Sequence, residues 1–192
     1  KVPATPQGID AVRRLTGQGI NGNVTLIFSR DVYRQVAQAY TQGLEDLARS
    51  GGAVGQVASV ASFFISRVDA AVDAELDRIG TPEAAALRGK VAVANGVVAY
   101  DMAMKQFSGP RWEALAARGA RIQRPLWAST STKDPSYPDT KYVDELIGPD
   151  SVNTLPDQTH EAFLDHGTVA RTVDTDVEAA RDDLDRLAEV GV

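Results

Sequence analysis

The sequence predicts an α/β protein in which βα units lie on a parallel sheet. Three observations carry that reading. Short β-branched or apolar runs alternate with longer stretches of helical periodicity along the whole chain. Helix start and stop signals fall where the period changes, as with Ser29 before one helical pattern and Gly51-Gly52 after it. The 192 residues are 43% hydrophobic and 24% charged, which suits one sizeable core, so one domain or part of one is expected.

Taken in order, Lys1 to Thr5 reads as a strand and Gln7 to Gly17 as the helix after it. Ile20 to Phe28 is the next strand, and Ser29 caps a helix running to about Arg49, with Val32, Val36, Ala39, Tyr40, Leu44 and Leu47 at helical spacing. Gly55 to Phe63 is a third strand, followed by a helix ending near Gly80. Helical patterns then cover Lys90 to Phe107 and Pro110 to Arg118, with Gly119 as the stop. Arg121 to Trp127 is a fourth strand, leading through a Ser-, Thr- and Pro-rich loop to a short helix near Lys141 to Ile147. Ser151 to Leu155 is a fifth strand, and helices over Pro156 to His166 and Thr175 to Val190 close the pattern.

Five βα units fit either an open doubly wound sheet or a piece of a (β/α)8 barrel. A full barrel takes about 250 residues, so this chain is short of one by roughly three units. Lys1 opens directly on a strand, and Val190-Gly191-Val192 stops where another element is due. The native protein is therefore expected to continue past both ends, since an unclosed sheet would expose two edges and an inner apolar face around Ile27 and Val60.

A net charge of −6 opposes binding to nucleic acid or an anionic membrane, so any anionic ligand needs local basic residues. The absence of cysteine excludes a disulfide framework and thiolate chemistry and suits a reducing cytoplasm. The longest apolar stretch, Val91 to Tyr100, is broken by Asn95 and Gly96 and falls short of the roughly 18 residues of a membrane span. Gly17-Gln18-Gly19-Ile20-Asn21-Gly22 matches a dinucleotide fingerprint in letters only, because it follows a helix and opens a strand. Asn23-Val24-Thr25 matches a glycosylation acceptor but lies within a strand. His160 and His166 share one helix without cysteines and make a poor metal site, while His166-Gly167 reads as a helix end with a dipole-suited cation. Trp112 and Trp127 read as packing residues, and Asp182-Asp183-Leu184-Asp185 as a solvated helix face.

The informative chemistry lies on the strands. Alternation places Asn23 and Thr25 on one face of their strand and Val24, Leu26 and Phe28 on the other. A strand buried on both sides would be apolar on both, whereas a barrel strand can present polar groups to a ligand on its inner face. The next strand carries Ser62 and Phe64 on one face, followed by Arg67 where a helix begins. Helix amides with a guanidinium make a phosphate site without a metal. Lys1, Asn23, Thr25, Ser62 and Arg67 are expected at or just beyond the carboxyl ends of their strands, converging at one end of a barrel.

These residues bring a resemblance with them. Lys1-Val2-Pro3-Ala4-Thr5, the run from Gly19 to Ser29, and Ser62-Phe63-Phe64-Ile65-Ser66-Arg67 resemble the fourth, fifth and sixth barrel strands of transaldolases in composition, order and spacing. Arg124-Pro125-Leu126-Trp127-Ala128-Ser129-Thr130-Ser131-Thr132-Lys133 resembles the seventh-strand region of the longer bacterial branch, as does Tyr142-Val143-Asp144-Glu145-Leu146-Ile147-Gly148-Pro149. The resemblance spans nearly the whole chain. It implies a (β/α)8 TIM barrel of the class I aldolase type, of which residues 1–192 supply strands four to eight as part of a single domain.

The resemblance also implies the chemistry. Lys1 would be the Schiff-base lysine, its amine kept neutral by burial in an apolar barrel. Asn23 and Thr25 would hydrogen-bond the covalent intermediate and a catalytic water, Ser62 the donor hydroxyls, Phe64 would shield the site, and Arg67 would clamp the phosphate. Lys133 is the candidate second phosphate-binding cation, at a place where many relatives carry arginine. Transaldolases take an acid/base Asp from the first strand and a Glu from the third, and neither strand is in this sequence. The implied partners are sugar phosphates, with no cofactor or metal, in a cytoplasmic monomer or homodimer of the intact protein. A lysine-dependent class I aldolase that cleaves without transfer, a fusion with a sugar-phosphate isomerase, and a non-catalytic fragment remain as alternatives.

Overall fold

A computed structural model describes residues 1–192. Five strands, β1 (Val2–Pro3), β2 (Gly22–Ile27), β3 (Ser59–Phe64), β4 (Arg124–Ala128) and β5 (Val152–Asn153), form one sheet in sequence order. β1 pairs parallel with β2, and β2 with β3. The order has no reversal, which separates the doubly wound sheet from the barrel. A doubly wound sheet turns back on itself at a switch point, whereas barrel strands follow one another round the sheet. The helices are α1 (Pro6–Gly17), α2 (Arg30–Arg49), α3 (Ser66–Ile79), α4 (Pro82–Ala85), α5 (Val91–Gln106), α6 (Gly109–Ala116), α7 (Lys141–Asp144), α8 (Asp157–His166) and α9 (Val177–Glu189). None is long and apolar enough to cross a membrane.

Several boundaries move from their sequence positions. The first strand shortens from residues 1–5 to Val2–Pro3, and the fifth from 151–155 to Val152–Asn153. The third begins at Ser59, after a 3-10 turn over Val54–Gln56. Strand extent depends on where a neighbour's backbone is present, which composition does not record. The short α4 over Pro82–Ala85, capped by Thr81, is a single turn and leaves no periodicity to read in the sequence.

The chain divides into two compact units, one of Lys1–Phe63 with Met102–Leu126 and the other of Phe64–Asp101 with Trp127–Val192. In the first, α1 starts because Thr5 Oγ1 accepts from the Gly8 amide at 3.1 Å and Pro6 is preset for the first turn. Ser29 Oγ accepts from the Val32 amide at 3.2 Å and starts α2 as expected. The two helices touch at Gly43, where an added Cβ would lie 2.5 Å from Thr16 Cβ and 2.6 Å from the Arg13 carbonyl oxygen. The core of this unit gathers Tyr40, Leu44, Val57, Phe107, Trp112 and Leu115. Phe107 meets Trp112 edge-on at 4.9 Å, and the buried Tyr40 donates its hydroxyl to the Arg121 carbonyl at 2.8 Å.

β2 departs from simple alternation. Val24 pairs with Ala61, but Ile27 pairs with Phe63, so an extra residue is inserted between them, and Leu26 takes a left-handed φ of 61°. The bulge reverses the expected facing beyond Thr25. Ile27 is fully buried beside Phe63, which packs on Tyr33 of α2 at 5.8 Å, while Leu26 and Phe28 are 49% and 40% exposed. The exposed apolar side chains of this strand are thus Leu26 and Phe28 rather than Ile27, and Val60 is half-buried.

In the second unit, α5 is buried along most of its length from Val91 to Tyr100, which explains why its sequence is apolar on every side. Gly96 permits its approach to Leu146, whose Cδ2 lies 3.1 Å from where a Cβ would be. Trp127 is buried and donates its indole N–H to the Leu146 carbonyl at 2.9 Å, the packing role expected of it. α3 ends at Gly80, which adopts φ 71° as a left-handed cap. Leu76, Ala84 and Leu87 form a small cluster under Leu187 and Val190 of the last helical segment.

The tightest test of this packing is Gly43→Ala. It should destabilise the protein by about 2 kcal/mol, the usual cost of overpacking, because the Arg13 carbonyl is backbone and cannot swing aside. A urea titration in which the midpoint is unchanged would show that α1 and α2 are not in firm contact.

Candidate active site

Register builds the first group. Val2 pairs with Val24 and Pro3 with Thr25, and the pairing continues as the Ala4 amide donates to the Thr25 carbonyl at 2.8 Å. Counting back one residue sets Lys1 level with Asn23, and side chains at paired positions project to the same side of a sheet. Asn23 is held in turn, since Ser62 Oγ donates to its Oδ1 at 2.7 Å. Ser62 and Thr25 are buried at 3% and 8% exposure. Asn23 and Thr25 of β2 and Ser62 of β3 therefore lie on adjacent strands, with Lys1 directly before β1 on the other side of β2.

Two details differ from expectation. Lys1 directly precedes β1, and Asn23 is the second residue of β2, so these two sit level with each other rather than at carboxyl ends. The register decides this, because Val2 is paired with Val24, and regular pairing of β2 with β3 ends at Val24. Lys1 is also exposed, and β1, which it precedes, has β2 as its one neighbour in the sheet, so these residues alone do not bury its amine.

The second group lies at the start of α3. The Arg67 guanidinium sits 5.0 Å from the centre of the Phe64 ring, an exposed cation resting on a half-buried aromatic face. Beneath it, Ser66 is fully buried, donates its amide to the Ser129 carbonyl at 2.9 Å and shares a hydroxyl hydrogen bond with Ser129 at 2.9 Å. Ser129 is itself in the left-handed region, at φ 58°. Ile65 donates to the Ala128 carbonyl at 3.0 Å, so the turn that presents Arg67 is tied to the end of β4.

Lys133 is in a different setting. It is exposed, donates to Ser131 Oγ at 2.6 Å, and lines a cavity of about 300 Å³ with Asp69, Asp73, Asp77 and Asp134. Arg67 is not among the residues lining that cavity. Carboxylates around a lysine repel a phosphate.

Sequence reasoning missed the two carboxylates deepest in this region. Asp69 is 1% exposed and accepts from the Ala92 amide and the Tyr142 hydroxyl, both at 2.7 Å. Asp73, one turn later and 6% exposed, accepts from the Gly89 amide at 3.0 Å and the Tyr137 hydroxyl at 2.7 Å. Burial pushes the Asp69 carboxyl above its ordinary range, against the pull of the two hydrogen bonds, and burial likewise pushes up the Tyr142 and Tyr137 hydroxyls. The signal was present, because Asp69, Asp73 and Leu76 recur at the spacing of one helix face.

The histidines build no metal site, since no group of three or more His, Cys, Asp or Glu side chains is placed to ligate one. His166 ends α8 as expected, with Nε2 2.8 Å from Asp139 and Nδ1 3.1 Å from Asp165. The fingerprint-like glycines run from the end of α1 into β2, so no helix N-terminus comes after them.

Comparison with known proteins agrees with this architecture. The transaldolase/fructose-6-phosphate aldolase family model matches residues 1–192. The chain belongs to that family. It is 55% identical over 193 aligned positions to a transaldolase of Parafrankia sp., 51% to one of Thermobifida fusca and 47% to one of Mycolicibacterium smegmatis. In each case the alignment takes in 100% of this chain and 52% of the relative, so the chain spans about half the length of the curated relatives it matches. In this member of the transaldolase family, the five sequential strands are thus part of a (β/α) barrel.

Protonation gives a direct check on the contact at the end of α8. The hydrogen bond and charge of Asp139, together with those of Asp165, hold the His166 imidazolium above its ordinary pKa. Its contribution to stability is full below the ordinary histidine pKa and fades as pH rises through the raised folded value. An NMR titration should place His166 above the usual range, and Asp139→Asn should bring it down. A titration unmoved by that substitution would mean the contact is absent in solution.

Proposed function

We propose that residues 1–192 carry the Schiff-base half of a transaldolase, with Lys1 as the nucleophile. The observation that supports this best is the register that sets Lys1 beside Asn23 while Asn23 is hydrogen-bonded to Ser62. A lone lysine on a strand would mean little. A lysine level with a half-buried amide that is hydrogen-bonded to a buried hydroxyl, in a chain matched throughout by the family, has neighbours that can hold a carbonyl substrate.

The neutral Lys1 amine attacks C2 of a ketose phosphate of the sedoheptulose 7-phosphate type, and loss of water leaves an iminium. The iminium withdraws electrons, so the C3–C4 bond breaks as the C4 hydroxyl gives up its proton, releasing an aldose phosphate and leaving an enamine on Lys1. The enamine carbon then attacks the aldehyde of an acceptor such as glyceraldehyde 3-phosphate. Water hydrolyses the new iminium and frees the amine. Asn23 and Thr25 orient the intermediate and the water, and Ser62 holds donor hydroxyls. Phe64 shields the site and supports Arg67, which binds the phosphate as a planar charged fork. The proton-transfer carboxylates and the walls that bury Lys1 are assigned to parts of the barrel outside residues 1–192. Lys133 is the weaker of the two phosphate assignments because of the carboxylates around it. The reaction belongs to the non-oxidative pentose phosphate pathway and needs no cofactor, consistent with a cytoplasmic enzyme.

Borohydride reduction of the whole gene product with a ketose phosphate should add the reduced donor mass at Lys1, and Lys1→Ala should abolish both labelling and turnover. Omitting the acceptor separates transfer from simple cleavage. Arg67→Ala should raise KM for phosphorylated donors by about tenfold to a hundredfold, the worth of a charged hydrogen-bonding contact, with a smaller effect on kcat. Label at a different lysine, or equal losses on phosphorylated and unphosphorylated donors, would overturn the respective assignments.

A further inference from the structure

Two buried carboxylates one helical turn apart make the same pair of contacts. Asp69 takes one backbone amide from the start of α5, at Ala92, and one tyrosine hydroxyl from the segment after β4, at Tyr142. Asp73 does likewise with Gly89 and Tyr137. Each bracket thus joins α3 to two other segments at once. Close packing leaves no slack at the second bracket, where a Cβ on Gly89, whose φ is 68°, would fall 2.7 Å from the Tyr137 ring. A third link runs outside them, since Arg88 reaches Asp77 of α3 at 3.2 Å and Asp134 at 3.4 Å.

Apolar side chains of similar volume would pack α3 at no desolvation cost, so stability alone does not account for two buried carboxylates. What hydrogen bonds add is a fixed rotation and translation of the helix. Asp69 lies two residues beyond Arg67 in the first turn of α3, and that turn has no side-chain cap of its own at Ile65. Its placement comes from the Ser129 contacts on one side and the Asp69 bracket on the other. Lys133, on the loop that the second bracket ties down, faces carboxylates, so Arg67 is the cation this framework presents to an anion.

We infer that Asp69 and Asp73, with Tyr142 and Tyr137, are positioning residues for Arg67, fixing the first turn of α3 so that its guanidinium meets the phosphate of the donor sugar. The inference rests on the transaldolase reading for its substrate and on the bracket geometry for its content.

The test is made in the whole gene product with Tyr142→Phe and Tyr137→Phe. Each removes one hydroxyl and leaves the ring, and Tyr137 is half-exposed, so its variant serves if the buried Tyr142→Phe fails to fold. The expected result is a rise of about tenfold in KM for a phosphorylated ketose, with kcat held within about twofold and no change for unphosphorylated fructose. In an Arg67→Ala background, the tyrosine substitutions should add no further loss, since they act through that residue. Parallel losses on both donors, or effects that add to Arg67→Ala, would reduce the brackets to a structural role and overturn the inference. A parent protein that neither turns over nor labels at Lys1 would instead sink the transaldolase reading. The brackets are then read by inorganic phosphate binding, which Tyr137→Phe should weaken only while Arg67 is present, and unchanged phosphate affinity would overturn the inference there.

Discussion

Backbone amides and carbonyls of β2 and β3 are satisfied by neighbours running in the same direction, and each strand is followed by helix that carries the chain back to start the next. Much else in the chain depends on this constraint. It demands crossovers, which supply α1, α2 and α3 between successive strands. It makes register, rather than turn geometry, decide which side chains become neighbours. Lys1 and Asn23 are 22 positions apart in sequence and level with each other because Val2 pairs with Val24.

The bulge in β2 shows how much one residue of register matters. Had the strand kept its alternation, Leu26 would share the side of Val24, and Ile27 would face the other way. With the extra residue, Ile27 is buried against the helices while Leu26 accepts a left-handed backbone, which costs a non-glycine residue about 1–2 kcal/mol. Burial of an isoleucine side chain is worth about as much or more, so the exchange is at least neutral. The consequence for the candidate site is that Asn23 is placed by regular pairing with Val60 of β3 and Thr25 by pairing with Pro3 of β1, on either side of the point where the β3 register shifts.

The second unit solves a different problem. A helix laid beside a sheet can slide or rotate along smooth apolar contacts, and α3 prevents this with directed bonds from Asp69 and Asp73 to amides and hydroxyls of other segments. Burial makes the Asp69 charge costly, and the cost falls on a segment whose first turn carries the exposed Arg67. The exposed ion pairs elsewhere, such as Arg13 with Asp46 and Arg111 with Glu45, are half open to water and contribute little by comparison.

Local chemistry was legible without coordinates. Ser29 as a cap, Gly80 as a stop, the apolar run of α5, and the βα order all depend on residues close together in the chain, and each stands in the structure as read. The resemblance of the polar strand residues to transaldolases likewise needed only their order, and the family match covers the same residues. Contacts between remote segments lay beyond that reach. Whether the strands follow a barrel order or reverse, where β1 and β5 end, that Leu26 turns outward, and that Asp69 and Asp73 are buried all depend on a backbone or hydroxyl far along the chain. Periodicity reports which side of an element is apolar, but only the folded chain supplies the amide of Ala92 and the hydroxyl of Tyr142 that allow a carboxylate on that side.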